Sequence, residues 1–235
     1  MKIDHVVRTH RGSRLRNEDA VLARPDKGLW AVADGMGGHQ HGDVASALLM
    51  EALDTCAPDG DLRARADAAA AAIEAANRRL FEMGRVQSGR TIGSTIVALL
   101  TDPSAFVFLW AGDSRGYVVR GGELQQLTHD HSLVQNLVDT GQITPEEALT
   151  HPDGNVITRA AGASARLEVD RSEGQIGRAD TFVLATDGLT RVMKDAEIGE
   201  TIAASDLEAA ADELIRTCLA RGAPDNVSFV LLRFS

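Results

Sequence analysis

Apolar residues recur at helical spacing in three stretches of the chain. Leu62, Ala66, Ala69, Ile73, Ala76 and Leu80 step by fours and threes, while Arg63, Arg65, Asp67, Glu74 and Arg78 fall elsewhere. An earlier stripe runs through Ala45, Leu48, Leu49, Ala52, Leu53 and Cys56, and a later one through Leu207, Ala211, Leu214 and Cys218. Each predicts an amphipathic helix laid against a core. Between them lie short apolar runs at Gly28–Ala33, Ser94–Leu100, Phe106–Ala111, Tyr117–Arg120, Phe182–Ala185 and Val227–Leu232, which read as strands. Gly121-Gly122 separates Tyr117–Arg120 from Glu123–Leu127 as a tight hairpin would. Strands that succeed one another without a helix between them pair antiparallel. The expected architecture is therefore α+β: two antiparallel sheets packed face to face with helices outside, a four-layer α-β-β-α sandwich.

One segment departs from this pattern. From His129 to Ala161 the chain is polar, with a short helix expected at Ser132–Asp139 and another after Thr144. There Thr144-Pro145-Glu146-Glu147 supplies an N-cap, a first-turn proline and a capping-box glutamate. We read residues 130–162 as a small flap inserted into a single domain spanning 1–235, more mobile than the core it lies on.

Composition narrows the class. The formal charge is −10, from 34 acidic against 24 basic residues. That disfavours nucleic acid or an anionic membrane as partner, since both need a basic surface. Aromatic residues are 4% of the chain, so Ala, Leu and Val carry the core. Cys56 and Cys218, each on a helical apolar stripe, are expected to be buried reduced thiols. No apolar run approaches the ~20 residues needed to cross a bilayer, and the first residues do not form a signal peptide. The expectation is a cytoplasmic protein, with a monomer as the default.

The positions of the aspartates carry the chemistry. Gly28–Ala33 ends in Asp34-Gly35, Phe106–Ala111 in Gly112-Asp113-Ser114, and Phe182–Thr186 in Asp187-Gly188, while Asp225-Asn226 opens the strand at Val227. Singly, each is an ordinary turn residue. In antiparallel sheets the end of one strand lies beside the start of its neighbour, so all four can meet at one edge. Buried together they repel unless cations neutralise them. No His or Cys pair has zinc-like spacing, so an all-oxygen set for Mg²⁺ or Mn²⁺ is expected, as in two-metal hydrolysis of phosphoesters.

Here the sequence resembles a known family. Arg14-Leu15-Arg16-Asn17-Glu18-Asp19, Asp34-Gly35-Met36-Gly37-Gly38-His39, Gly93-Ser94-Thr95, Gly112-Asp113-Ser114-Arg115, Asp187-Gly188 and Asp225-Asn226 occur in the order found in the protein phosphatase 2C (PPM) family. His129-Asp130-His131-Ser132-Leu133-Val134 and Asn155-Val156-Ile157-Thr158-Arg159-Ala160 look like its bacterial branch. The resemblance covers essentially the whole chain. It implies a metal-dependent phosphatase that removes phosphate from phosphoserine and phosphothreonine by attack of a metal-activated water.

By the same resemblance, Asp34 bridges two ions, the Gly35 carbonyl lies on one, and Asp187 and Asp225 lie on the other. Glu18 holds a metal-bound water, with Asp19 and Asn226 behind the ligands. Asp113 with Asp187 forms a weaker third site, and Arg14 grips the substrate phosphate. His39 and Ser132 are candidate substrate contacts. The partners implied are phosphorylated proteins, above all a Hanks-type Ser/Thr kinase and its targets, and the compact form also resembles phosphatases encoded with type VI secretion systems.

Three features need separate treatment. Many relatives carry histidine after the Asp-Gly, whereas this chain has Met36, so the resemblance names no general acid. His39 and His41 read as polar loop residues, and His129, His131 and His151 as exposed loop histidines. Gly112-Asp113-Ser114-Arg115-Gly116 satisfies G-x-S-x-G, but a strand and not a helix is expected after it, which argues against a serine hydrolase. The alternative from another class is a catalytically weak regulatory metal-binding domain on the same fold; the presence of Arg14, Glu18 and all four aspartates favours an enzyme.

Overall fold

A computed structural model describes residues 2–37, 41–56, 60–86 and 91–235. Along the chain, β1 (Ile3–His10), β2 (Asp19–Arg24) and β3 (Leu29–Met36) precede the helix pair α1 (Gly42–Thr55) and α2 (Leu62–Val86). Strands β4 (Gly93–Ser94), β5 (Ile96–Thr101), β6 (Ala105–Ala111), β7 (Arg115–Arg120) and β8 (Glu123–Gln126) follow. The inserted segment carries α3 (Leu133–Asp139) and α4 (Pro145–Ala148), and the chain returns through β9 (Asp170–Gln175) and β10 (Thr181–Ala185). It ends with α5 (Asp187–Thr190), α6 (Asp195–Ala204), α7 (Leu207–Ala220) and β11 (Val227–Phe234).

These strands build two antiparallel sheets, ordered β1-β11-β10-β7-β8 and β2-β3-β5-β6-β9, with β4 paired to β3. Trp30, Val97, Phe108, Phe182, Val230 and their neighbours interdigitate between the sheets. Helices α1 and α2 cover the outer face of one sheet through Leu49, Leu53, Ile73 and Leu80, and α6 and α7 cover the other through Ile198, Ile202, Leu214 and Cys218. The result is the four-layer sandwich that the pattern predicts. Each fully buried large apolar side chain contributes roughly 1.5–3 kcal/mol, so these three interfaces fix the layers and leave the strand ends to function.

The differences from expectation fall mainly at the edges. Three of the four edge strands, β1, β2 and β9, lie outside the predicted runs. Edge strands carry charged residues that discourage further pairing, and β9 reads Asp-Arg-Ser-Glu-Gly-Gln, which has no apolar run to detect. Strand β3 also runs on through Asp34-Gly35 to Met36, so this Asp-Gly is extended chain and not a turn. Cys218 is buried but Cys56 is only partly so, because Cys56 caps the end of α1; both thiols are free.

In the inserted segment, Ser132 N-caps α3 and Thr144 with Glu147 closes a complete capping box on α4. The segment's return is pinned by buried Asn77 of α2, which accepts from the Gly162 amide at 2.7 Å and donates to the Ser164 carbonyl at 3.2 Å.

Candidate active site

The sheets place the acidic residues together. Asp19 on β2 is the register partner of Asp34 on β3. Ala185 of β10 pairs with Arg115 of β7, so Asp187 and Asp113, each two residues beyond, face one another across that pair. Asp225 lies two residues before β11, on the other side of β10. Gly112-Asp113-Ser114 is the crossing from one sheet to the other, between β6 and β7. Gly112 adopts φ +120, and a Cβ there would meet the Thr95 side chain at 2.6 Å, so glycine is required for the crossing.

Hydrogen bonds hold this floor in shape. The Asp34 amide donates to Thr95 Oγ1 at 2.9 Å, and the Asp34 carbonyl accepts from the Thr95 amide and from Ser94 Oγ, both at 2.9 Å. Thr95 Oγ1 in turn shares a 2.7 Å hydrogen bond with Ser114 Oγ. Ser114 is buried in this lattice and followed by a strand, so the G-x-S-x-G serine is structural.

The electrostatics are those of an under-compensated acidic cluster. Burial, then repulsion from Asp187, Asp19, Asp113 and Asp225, pushes the Asp34 carboxyl well above the usual carboxylate range. Burial likewise raises Asp19 to about 7 and, helped by Asp187, Asp113 to about 6. Asp187 is raised by burial, a shift that Arg191 opposes and Asp225 reinforces. Asp19 Oδ1, Asp113 Oδ1 and Asp187 Oδ1 are buried without any hydrogen-bond partner. Buried oxygens left bare in this way are costly unless something cationic meets them.

Two arginines supply part of that charge. Arg14 Nη2 lies 2.8 Å from Asp225 Oδ2, and its Nε donates to the Pro224 carbonyl at 3.0 Å. Arg191 reaches Asp187 and Asp113 from the end of α5. No three His, Cys, Asp or Glu side chains converge on one point among the described residues. The donor set is nonetheless all oxygen, and its bare Oδ1 atoms are what divalent ions of the Mg²⁺ or Mn²⁺ type accept.

The loop 11–18 is clamped over the cluster by Asn226. Its Oδ1 accepts from the Glu18 amide at 2.8 Å, and its Nδ2 donates to the carbonyls of Arg11 and Arg16, both at 2.9 Å. Glu18 is thereby held against the start of α1. Gly35 and Gly42 make the fit possible: a Cβ on Gly35 would sit 2.0 Å from the Gly42 carbonyl, and one on Gly42 would sit 2.8 Å from Glu18 Cδ. Asp19 is fixed from behind by Thr186, whose Oγ1 donates to Asp19 Oδ2 at 2.9 Å.

The structure thus brings Arg14, Glu18, Asp19, Asp34, Gly35, Asp113, Asp187, Asp225 and Asn226 to one edge. His39 lies outside the described residues. Ser132, the other candidate substrate contact, is buried and its hydroxyl accepts from the Gln135 amide, which holds the start of α3. His131 is corrected, being buried and not an exposed loop residue. It stacks on Trp110, accepts from the Gly112 amide through Nδ1 at 3.0 Å, and pairs through Nε2 with Asp170 at 3.1 Å. Burial lowers its pKa, and the Gly112 amide donating to Nδ1 requires that nitrogen to be the acceptor. Arg191 was not singled out from sequence, and its only local signal is its position four residues after Asp187; Thr95 stood only within the Gly93-Ser94-Thr95 motif, with no role given.

Comparisons with known proteins bear on the family and the fold. Residues 8–230 match the family model described as Protein phosphatase 2C. Serine/threonine protein phosphatase PstP of Mycobacterium tuberculosis is 40% identical over 232 residues, covering 97% of this chain but 44% of that protein, so the chain spans less than half of its length. The structure of PppA, described as a key regulatory component of T6SS in Pseudomonas aeruginosa, is 36% identical with TM-score 0.91, covering 99% of this chain and 98% of that one. The catalytic domain of PstP in complex with 2 manganese ions is 36% identical with TM-score 0.86, covering 98% and 97% of the two chains.

Proposed function

This chain belongs to the protein phosphatase 2C family, and from that premise we propose that it is a metal-dependent protein serine/threonine phosphatase, hydrolysing phosphoserine and phosphothreonine by attack of water on phosphorus. The observation that carries the reading is the cluster of mutually repelling carboxylates with bare oxygens at one edge of the two sheets. Asp34, the Gly35 carbonyl, Asp187 and Asp225 would hold two core ions, with Glu18 beside them and Asp113 with Asp187 forming a weaker third site. Divalent ions bound there supply Lewis acidity and neutralise the carboxylates. The solved relative with two manganese ions supports Mn²⁺ for the core pair, and Mg²⁺ suits the same oxygen set.

The remaining steps belong to the chain's own residues. Arg14 is more than half exposed, so its guanidinium can swing from Asp225 to a phosphate and offer two parallel donors to its oxygens. Asn226 and Gly35 keep that loop over the acidic cluster that would hold the ions, and Thr95 with Ser94 holds the Asp34 backbone in place. Such positioning matters because a phosphoryl group in transfer spreads charge over its oxygens, and preformed donors stabilise that charge without reorganising.

We assign substrate choice to the flap, 130–162, the polar surface segment beside the cluster. The substrates are phosphorylated proteins, and a Hanks-type kinase with its targets is the setting that the family resemblance favours. PppA's description supports a second setting linked to type VI secretion. No helix among the described residues is long and apolar enough to cross a membrane. Hydrolysis of p-nitrophenyl phosphate tests the chemistry: it should require Mn²⁺ and vanish in EDTA or in Asp34→Asn. Activity that persists in either case would sink the metal-bridged reading.

A further inference from the structure

Arg191 makes three polar contacts that belong to two different parts of the molecule. Its Nε lies 2.8 Å from Asp187 Oδ2 and its Nη2 lies 3.2 Å from Asp113 Oδ2, so one guanidinium bridges both carboxylates. The same Nη2 donates at 3.0 Å to the Gly154 carbonyl, in the flap. Asp113 is only 5% exposed, and its other oxygen, Oδ1, is buried with no partner, as is Asp187 Oδ1. Each carboxylate therefore gives one oxygen to the arginine and keeps one bare.

We propose that Arg191 is the resident cation of the Asp113–Asp187 pair, competing with a divalent ion for these carboxylates and, through Gly154, coupling the flap to whichever cation holds them. The proposal rests on the reading that the cluster binds divalent ions. A guanidinium satisfies carboxylates with directed bonds of about 2.7–2.9 Å and a single charge. A small divalent cation carries twice the charge and draws oxygens to about 2.0–2.6 Å. An ion entering on the bare Oδ1 atoms withdraws the negative charge that holds Arg191 on the Oδ2 atoms and repels the guanidinium, so each cation weakens the other. The Nη2 bond to Asp113 is the longer of the two and the one to give way first. When Nη2 leaves, the Gly154 carbonyl loses its donor.

Arg14 is the contrasting case. It also pairs with a member of the cluster, Asp225, but its other bond goes to the adjacent Pro224 carbonyl and not to the flap. The link between cation and flap is thus specific to Arg191. It places the occupant of the weakest ion site in contact with the segment beside which a substrate must bind.

Calorimetric titration of the metal-stripped chain with Mn²⁺ tests the competition in wild type, Arg191→Gln and Arg191→Lys. The weakest-bound ion should tighten by about tenfold or more in Arg191→Gln, with Arg191→Lys between it and wild type. Identical isotherms overturn the proposal while the metal reading stands; absence of any Mn²⁺ binding to wild type overturns both. Amide exchange tests the coupling on the wild-type chain alone, whatever the variants do. The Gly154 and Val156 amides donate to the His151 and Asp153 carbonyls within the flap turn, and their protection should fall as the weakest ion binds. In metal-free Arg191→Gln they should already exchange fast. Protection that ignores both Mn²⁺ and the substitution overturns the coupling.

Discussion

Asn226→Ala removes three hydrogen bonds at once, and each has a partner that cannot easily find another. The Glu18 amide loses its acceptor, and the Arg11 and Arg16 carbonyls lose their donor, at distances of 2.8, 2.9 and 2.9 Å. Asn226 is 5% exposed, so water does not reach its place without rearrangement. At roughly 0.5–1.5 kcal/mol net for each bond, the cost is about 3 kcal/mol, which for a domain of this size lowers Tm by roughly 6–12 °C. Urea denaturation in EDTA measures the first quantity and calorimetry the second. Asn226→Asp sharpens the test, since it keeps an acceptor for Glu18 but turns an oxygen toward two carbonyls beside Asp225. It should be at least as damaging as alanine. Because the loop carries Arg14 and Glu18, both variants should also raise the Mn²⁺ concentration needed for half-maximal hydrolysis. A loss below about 0.5 kcal/mol for Ala, or an Asp variant more stable than Ala, would refute the clamp.

Other consequences can be measured independently. Asp113 has its folded pKa raised to about 6 from the ordinary 3.8, so between those values the metal-free folded chain binds more protons than the unfolded one. Its contribution to stability is complete below pH about 4 and lost as pH rises through about 6, up to about 3 kcal/mol for this group. Denaturation in EDTA at pH 5 and pH 7.5 should therefore show a smaller decline for Asp113→Asn than for wild type, and parallel curves would count against it. Arg14→Ala should cost less than about 1 kcal/mol of stability, because its ion pair is exposed. It should nevertheless lower kcat/KM for a phosphopeptide by roughly 10- to 100-fold through loss of charged hydrogen bonds. A change within twofold would remove Arg14 from the phosphate site.

Legibility followed how local each signal is. The stripes through α1, α2 and α7 and the runs of the central strands could be read directly, because burial on one face imposes a period that short windows contain. The strand-end aspartates were equally visible, since a strand and the residue that ends it are neighbours in the chain. Edge strands β1, β2 and β9 were not, because an edge carries polar residues for reasons set by what does not pair with it. His131 looked like an exposed loop residue, yet the fold stacks it on Trp110. Ser132 looked like a substrate contact although a helix was expected to start there, and the structure shows its hydroxyl accepting from the Gln135 amide instead.

By itself, then, the sequence determined the layers and the identity of the acidic residues, through periodicity and the termini of apolar runs. Only the tertiary structure decided which oxygens are satisfied and by what. Asn226 reaches carbonyls more than two hundred positions away, and Arg191 joins Asp113 to Gly154 although all three are far apart along the chain. Such contacts leave no period in the sequence, because they are fixed by the crossing of two sheets and by the need to find a cation for charges that burial has stripped of water.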